Sequence, residues 1–405
     1  MALASVIFAA PTMVLGAASP ALAQVLRPEV RIPFLADPLQ DVPLDPLLPN
    51  PPVPRPLSPL EQYALEQDLD RLALEAEALN QAGNAEEALE LWMREVRLRR
   101  LLGIERELVA IQRVAQWMRD LASTQELQLL SARLDQIQAQ QDISVAADRA
   151  RLEDMAATYT ILGDVEAAVA IHRTLADIAL AAGDRATYQT QVETLTSLQA
   201  DWFYFQPAAE AYGELVQLTA AAADRDDQIR YQLAQSQNLE QAQQFEAAIA
   251  VQQQLITLYS TDETQWPLIP AVQHRVGQNY RTLGNLEEAS RNYQAAYTNA
   301  IANRQLNVAS TAIRDLAAIY KTLERVGDLG YLYEQLLLVE RQASNAYGLM
   351  ETFDQLGQLY EQTGEPEAAL SAYREGLILA RSLGHRQDYF ESQITRLTAP
   401  SPTSG

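Results

Sequence analysis

Histidines are the side chains of this sequence best suited to proton transfer or metal binding near neutral pH, and the chain has 3 of them. His172, His274 and His385 lie 102 and 111 residues apart along the chain and share no local motif. The sequence contains no H-E-x-x-H zinc motif, no phosphate loop ending in Lys-Ser or Lys-Thr, and no G-x-S-x-G nucleophile motif. We therefore expect no metal site, no cofactor and no enzymatic activity.

Carboxylates are abundant, but the sequence nominates no catalytic pair among them. The acidic pairs Glu86-Glu87 and Glu287-Glu288 suit the first turn of a helix, where negative charge is favourable. The chain has 53 acidic and 30 basic residues, a net charge of −23, and a single lysine, Lys321. We expect no nucleic-acid partner, because phosphate binding requires a basic surface. The absence of cysteine rules out disulfides and thiolate chemistry, and it fits an oxidising compartment.

One residue pattern recurs along the chain and defines its organisation. An aromatic residue or leucine is followed by glycine after 4 residues, alanine after 9, and an aromatic residue or histidine after 13. The clearest copies are Leu79-Gly83-Ala88-Trp92, Tyr159-Gly163-Ala168-His172, Tyr280-Gly284-Ala289-Tyr293 and Tyr360-Gly364-Ala369-Tyr373. Glycine permits the positive φ that ends a helix, and alanine lets two helices approach closely. The pattern therefore predicts helical hairpins.

The first residues of these copies recur at a nearly constant interval. Intervals of 80, 80, 41, 40 and 40 residues separate Leu79, Tyr159, Leu239, Tyr280, Tyr320 and Tyr360. The interval predicts further units near Arg119 and Gln199. Several units are degenerate, since the turn glycine is replaced by Ser123, Phe203, Gln243 and Glu324.

These residues resemble the tetratricopeptide repeat. The clearest unit follows the family's W-L-G-Y-G-A-F order with Phe353, Leu356, Gly357, Tyr360, Gly364, Ala369 and Tyr373. The family period is about 34 residues, whereas the interval here is 40 or 41 residues, as in the extended repeats of kinesin light chains. The resemblance implies an all-α fold, a right-handed α-solenoid of about eight helical hairpins with a C-terminal capping helix.

We predict a solenoid over residues 59–398 and a disordered tail over 399–405. Ser58, Pro59 and Glu61 form a capping box with proline at the first helical position, which starts the first helix. The predicted hairpins are 59–82 with 85–102, 104–121 with 125–141, 144–162 with 164–181, 185–200 with 207–223, 226–242 with 245–259, 267–283 with 286–302, 307–324 with 329–344, and 347–362 with 366–382. A last helix over 386–397 is predicted to turn Arg386 outward.

The first 23 residues have the composition of an export signal. They are apolar and end in Ala21-Leu22-Ala23, a small-residue cleavage pattern, although a basic leading region is missing. We predict a signal peptide over 1–23, a mature chain that starts at Gln24, and no transmembrane segment in that mature chain. The alternative is an uncleaved N-terminal membrane anchor, which Pro11 and Pro20 weaken.

Residues 24–58 are rich in proline, which predicts an extended, semi-rigid arm without helix. Interspersed leucines make this arm more apolar than a spacer requires. Two interpretations follow: a stalk that holds the solenoid away from a surface, which we favour, or an arm that docks along the first repeats.

The resemblance also implies where a ligand would bind, because the first helix of each hairpin lines the groove in this family. Carried onto this chain, the peptide-binding residues are Arg230, Gln237, His274, Gln278, Arg281, Arg314 and Lys321. Cations gathered within an acidic chain would favour an acidic, extended segment of a protein or peptide partner. The alternative is that these cations pair with Glu240, Asp315 and neighbouring carboxylates of the same chain.

The sequence therefore predicts a non-catalytic, protein- or peptide-binding scaffold outside the cytoplasm, in the periplasm, the thylakoid lumen or the extracellular space. Its layout also resembles secreted tetratricopeptide proteins of cyanobacteria. The alternative is a structural or tethering envelope protein without a groove ligand, and an enzyme is a distant third. Two aromatic stretches, 202–205 and Trp266, are interpreted as packing over degenerate turns and hairpin ends, with partner binding as the alternative.

Overall fold

The computed structural model of the chain describes residues 26–41, 43–49, 55–140 and 149–399. All regular secondary structure in these ranges is helical. No helix among them is long and apolar enough to cross a membrane. The predicted signal peptide and the predicted tail, apart from Ala399, lie outside the described residues.

The chain divides into two compact units, residues 1–202 and residues 203–405, which we call unit 1 and unit 2. Unit 1 contains α1 (Pro28–Leu35), α2 (Pro59–Gln81), α3 (Ala85–Arg99), α4 (Ile104–Asp120), α5 (Thr124–Gln140), α6 (Arg149–Leu162), α7 (Val165–Ala181) and α8 (Arg185–Asp201). Unit 2 contains α9 (Phe205–Ala221), α10 (Arg225–Gln241), α11 (Phe245–Ser260), α12 (Ile269–Thr282), α13 (Leu286–Ala302), α14 (Leu306–Thr322), α15 (Val326–Gln342), α16 (Ala346–Thr363), α17 (Pro366–Leu383) and α18 (Gln387–Thr398).

From α2 to α8 and from α9 to α18, consecutive helices pack against one another, so the predicted all-α array of helical hairpins is confirmed. The helix bounds agree with the prediction to within a few residues. α15 begins at Val326, three residues before its predicted start. α12 begins at Ile269, two residues after its predicted start, because a 3₁₀ turn, Glu263–Leu268, precedes it. The final helix caps the array through Phe390, which is buried against Tyr373 and the backbone of Gly376.

The hairpin turns show why the repeat survives where its glycine is lost. Gly284 and Gly364 have φ of +77° and +79°, as the pattern predicts. The N–H of Glu365 then donates to the carbonyl of Tyr360 at 2.7 Å, which closes the turn of a Schellman motif. The equivalent residues of the degenerate units also have positive φ, and they are Ala122, Phe203, Gln243 and Glu324.

One predicted repeat position was wrong by a single residue. The turn of the α4–α5 hairpin is at Ala122 rather than Ser123, and the buried first residue of that unit is Met118 rather than Arg119. The N–H of Ser123 donates to the carbonyl of Met118 at 2.9 Å, the same bond that closes the glycine turns. The register was misread because no glycine marks this turn.

Close helix contacts hold the hairpins together, as the small residues of the pattern predict. Ala289 and Ala369 are fully buried, and so are the aromatic residues that follow them, Tyr293 and Tyr373. A Cβ atom built on Gly357 would lie 2.5 Å from the Tyr373 ring, so only glycine fits there.

The proline-rich arm differs most from its prediction. It contains α1, which has Pro28 at its first position and Pro33 inside it, and then a 3₁₀ turn at Pro38–Gln40. Proline is tolerated in the first turn, since the N–H it lacks would have no intrahelical partner. The described arm also docks on unit 1, with Phe34 buried in its core, so the favoured stalk interpretation was wrong. Apolar burial outweighs the extended preference of proline.

Candidate functional site

The predicted peptide-binding residues all lie in unit 2, on the first helices of three hairpins. Arg230 and Gln237 belong to α10, His274, Gln278 and Arg281 to α12, and Arg314 and Lys321 to α14. Their placement on first helices follows from the repeat spacing.

His274 and Arg281 share one carboxylate of the next hairpin. The Nε2 atom of His274 lies 2.7 Å from Oδ2 of Asp315, and Nη1 of Arg281 lies 3.4 Å from Oδ1. The His274 ring also packs against the ring of Tyr293, with centroids 5.2 Å apart. Asp315 therefore joins α12 to α14 and neutralises part of the predicted cationic strip.

Arg314 has a buried partner of its own. Its guanidinium forms a salt bridge with Glu340 of α15, whose side chain is fully buried and also accepts a 2.5 Å hydrogen bond from Ser310. Glycine at position 348 makes room for this pair, because an added Cβ would lie 2.5 Å from the Glu340 carboxylate. Arg314 thus has a structural role and is still partly exposed.

Arg230 does not join this group. It pairs with Asp227 at 2.9 Å, one turn earlier on α10, and its guanidinium lies 4.3 Å from the centroid of the Tyr231 ring. The Gln237 and Gln278 side chains are exposed. Internal pairing therefore holds for four of the five predicted cations.

Glu240 was also considered as a partner for these cations, but it forms a salt bridge with a different arginine, Arg275. Arg275 binds it at 2.8 Å, and it also accepts hydrogen bonds from Asn279 at 2.9 Å and Gln252 at 2.6 Å. This polar network ties α10, α11 and α12 together.

Lys321 is the exception among the five cations. It is exposed, and it forms no salt bridge with any carboxylate in the described ranges. Together with Arg314 it lines a cavity of about 350 Å³. The remaining lining residues are Ala317, Ala318, Tyr333, Leu336, Glu351, Thr352, Asp354, Gln355 and Arg386. The lining combines apolar side chains with groups of both charges, and Lys321 is the one of the five predicted cations without a salt bridge in the part of the chain that the structure describes.

Sequence reasoning missed Arg386 as a member of this cavity. It was predicted to face outward, but it binds Asp354 at 2.7 Å and lies 4.3 Å from the Tyr389 ring centroid. The Tyr389 hydroxyl donates to the same carboxylate at 2.7 Å. Arg386 lies beyond the last repeat, so no repeat position could have nominated it, although Asp354 itself occupies one.

The other residues considered in the sequence lie away from this cavity. His172 bonds to Gln191 at 2.7 Å and is half-buried, as expected for a histidine in a packing position. Among the described residues, no histidine, aspartate or glutamate side chains form a group of three that could hold a metal ion.

The aromatic stretches are only partly packed. Trp202 lies against the turn at Gly163, 3.6 Å from where a Cβ would be, but Phe203 is 77% exposed. The packing interpretation therefore holds for Trp202 and was wrong for Phe203. The indole of Trp266 donates to the carbonyl of Ser260 at 3.2 Å and so covers the end of α11.

The hairpin formed by α16 and α17, whose first helix lines the cavity, matches a known family. Residues 351–382, which span most of α16 and α17, match the family model "Tetratricopeptide repeat". This hairpin resembles a tetratricopeptide repeat. The resemblance predicted from the sequence is confirmed, and the residues matched by the family model cover this one hairpin.

Solved structures with this kind of fold cover much of the chain at low identity. BtubC (BKLC) from P. vanneervenii is 14% identical over 60% of this chain and 96% of its own, with a TM-score of 0.38. A putative kinesin light chain from Podosopora anserina is 15% identical over 48% and 97%, with a TM-score of 0.36. A Rap protein complexed with competence and sporulation factor is 12% identical over 82% and 97%, with a TM-score of 0.32. No curated protein matches in sequence.

Proposed function

We propose that the chain is a non-catalytic scaffold that binds an acidic, extended segment of a protein or peptide on the first-helix face of unit 2. The tetratricopeptide hairpin at 351–382 supports a binding role, because hairpins of this family present their first helices to partner segments. The observation that carries the proposal is the unmatched ammonium group of Lys321 at the cavity between α14 and α16.

The contacts in the structure leave three of the five predicted cations as candidates for binding the ligand, and these are Arg281, Arg314 and Lys321. The side chain of Arg281 is 50% exposed, and its contact with Asp315 is long, at 3.4 Å. Arg281 can therefore also bind a carboxylate of the ligand. Arg314 and Lys321 follow on the next first helix and line the cavity. The exposed Gln278 amide can bond the backbone of an extended ligand. Arg230 is held by Asp227, and His274 contributes mainly by positioning Asp315.

The test is a double charge reversal, Arg281→Glu with Lys321→Glu. Arg314 is left unchanged, because a carboxylate there would face the buried Glu340. Partners would be recovered by pull-down from an envelope fraction, and the affinity of the captured segment would be measured at two salt concentrations. We expect the double variant to lose affinity by more than about tenfold, with a smaller dependence on salt.

Arg291→Glu is the matched control, because Arg291 is an exposed arginine of α13 that pairs with Glu287 and Glu288 of its own helix. This control should leave affinity unchanged. Equal affinity of the control and the double variant, with both folded by circular dichroism, would contradict the proposed site. Self-association without any captured partner would favour the tethering role instead.

Export of the chain is part of the same proposal. It is supported by the apolar residues 1–23 and the cleavage pattern Ala21-Leu22-Ala23. N-terminal sequencing of the native protein should find Gln24 first. Retention of residues 1–23 in a membrane fraction would instead indicate an N-terminal anchor.

A further inference from the structure

Three arginines on one face of α3 hold the docked arm of unit 1. Arg94, Arg97 and the residue just after the helix, Arg100, are spaced by three residues and so face the same side. The guanidinium of Arg94 binds both oxygens of Asp45 at 2.7 Å. Arg97 binds both oxygens of Asp41, one of them at 2.7 Å. The later arginine thus binds the earlier residue of the arm, so the arm runs antiparallel to α3.

Leucines fill the space beneath these ion pairs. Leu39, Leu44, Leu47 and Leu48 of the arm pack with Leu65, Leu69, Leu72, Leu98 and Leu102 of α2, α3 and the turn after α3. The surface that receives the arm therefore combines an apolar floor with a row of arginines. We call this surface the arm seat.

Arg100 is poorly matched by the arm. Its side chain is only 6% exposed, yet the arm offers it the carbonyl oxygen of Ala36 at 3.1 Å and the ring of Phe34 at 5.3 Å. Its Nε and Nη2 atoms are buried without a hydrogen-bond partner, and the nearest carboxylate, that of Glu107, lies 3.6 Å away. Burial and the neighbouring Arg133 lower the pKa of Arg100 to about 10.

The arm has a carboxylate nearby but uses it elsewhere. Asp37 follows Ala36 directly, and its Oδ1 atom accepts a 3.0 Å hydrogen bond from the N–H of Leu39, which starts the 3₁₀ turn. The arm thus satisfies two of the three arginines with carboxylates and the third with a main-chain oxygen. A buried, incompletely bonded guanidinium is costly, and a carboxylate is its strongest acceptor.

We propose that the arm seat is a second segment-binding site, and that its full ligand is an acidic, leucine-containing segment of a partner protein with a carboxylate where the arm has Ala36. The chain's own arm occupies the site as an intramolecular competitor. This site is in unit 1 and is independent of the Lys321 cavity in unit 2.

Two synthetic peptides test the proposal: residues 26–49, and the same peptide with Ala36→Glu. The receptor is the full chain with Asp41→Arg and Asp45→Arg, whose own arm is repelled from the seat. We expect the Ala36→Glu peptide to bind this variant in a saturable 1:1 complex, about tenfold or more tightly than the plain peptide. Binding to the wild-type chain should be weaker, because the tethered arm competes at high effective concentration.

Charge exchange supplies the control. Adding Arg94→Asp and Arg97→Asp to the receptor variant restores opposite charges between arm and seat, so this fourfold variant should redock its arm and reject both peptides. Circular dichroism of the receptor variant and of the fourfold variant checks that both are folded. In the wild-type chain, Ala36→Glu should tighten the arm and lower peptide affinity further.

Three results would overturn the proposal. The first is equal binding of the two peptides. The second is peptide binding that persists in the fourfold variant. The third is arm exchange between wild-type chains into dimers, seen by light scattering, because the seat would then serve self-assembly.

Discussion

Individual hairpins of the two units hold their two helices together in different ways. In unit 2, buried tyrosines pack directly on glycine, as Tyr293 does on Gly277 and Tyr373 on Gly357. In unit 1, the α4–α5 hairpin lacks that wedge, and a buried ion pair joins its helices. Arg133 binds both oxygens of the fully buried Glu107, at 2.6 and 2.7 Å.

This difference shows how a hairpin fixes the register of its two helices after the repeat residues have been lost. An aromatic wedge against glycine works through shape, and any slip of the helices produces a clash. A buried ion pair works through charge, and a slip leaves a desolvated group without a partner. Burial of Glu107 with Arg133 thus keeps the α4–α5 register where the repeat residues have been lost.

The sharpest way to break the comparison is Arg133→Met. It removes the main partner of Glu107, and an unpaired buried carboxylate costs roughly 3–5 kcal/mol of unfolding free energy. We expect the lower end of that range, because Arg100 remains 3.6 Å from Glu107. Urea unfolding followed by circular dichroism measures the loss.

Two further variants check that prediction. Arg133→Met with Glu107→Leu should recover only part of the loss, since an apolar pair can replace a buried ion pair but the buried Arg100 then loses its 3.6 Å contact with Glu107. Arg291→Met removes only an exposed helical pair and should change stability by less than about 1 kcal/mol. A small effect of Arg133→Met alone would show that the pair does not hold α4 to α5.

A smaller loss is expected from overpacking the wedge of unit 2. Gly357→Ala would place a methyl group 2.5 Å from the Tyr373 ring and should destabilise the chain by roughly 1–3 kcal/mol. Gly330→Ala, on α15, meets only Leu359 at 3.6 Å, an ordinary contact. Because alanine is the better helix former, this control should gain roughly 0.5–1 kcal/mol. Thermal unfolding of the two variants should therefore shift in opposite directions, and a shift in the same direction would contradict the wedge.

The hairpins could be read from the sequence because their rules are local. Gly364, Ala369 and Tyr373 act within a single turn and the two helices it joins, so their spacing alone predicts the packing. The ion pairs have no such signal. Asp45 and Arg94 are 49 residues apart, and Arg386 is 32 residues from Asp354, with no periodicity linking either pair.

The same reasoning explains the mixed outcome for the candidate site. The repeat spacing placed Arg314 and Lys321 on a first helix and so next to the cavity. It could not show that Glu340 neutralises one of them and leaves the other unmatched. Whether a cation is paired depends on side chains from the neighbouring hairpin, and a charge census of the sequence does not contain that information.

Restoring glycine at a degenerate turn should sharpen the comparison with a still smaller effect. Glu324 has φ of +54°, a conformation that is unfavourable for residues with a Cβ atom. Glu324→Gly should stabilise unit 2 by roughly 0.5–1 kcal/mol. Glu334→Gly, within α15, is the control and should lose about 1 kcal/mol. If both variants lose stability alike in urea unfolding, the turn is not strained.

The last prediction concerns pH and the arm of unit 1. Burial of Asp45 favours its neutral form, but the hydrogen bonds from Arg94 and the Leu47 N–H outweigh this and lower the pKa of Asp45 below its usual value of 3.8. A carboxylate with a lowered folded pKa contributes stability that is complete above the unfolded value and is lost as pH falls through the folded value. Arm docking should therefore be unchanged down to about pH 4 and weaken below it.

The absence of cysteine makes this prediction easy to measure, since Gln40→Cys gives a single fluorophore site on the arm. We expect its fluorescence to change only below about pH 4, and to be changed already at neutral pH in Asp45→Asn. The capping box of α2 provides an internal reference. The bonds from Arg55 and Ser58 lower the pKa of Glu61 to about 2, so α2 should stay capped while the arm is released. An arm that stays docked well below pH 4, or at neutral pH in Asp45→Asn, would mean that the ion pairs of Asp41 and Asp45 do not hold it, and that leucine packing alone does.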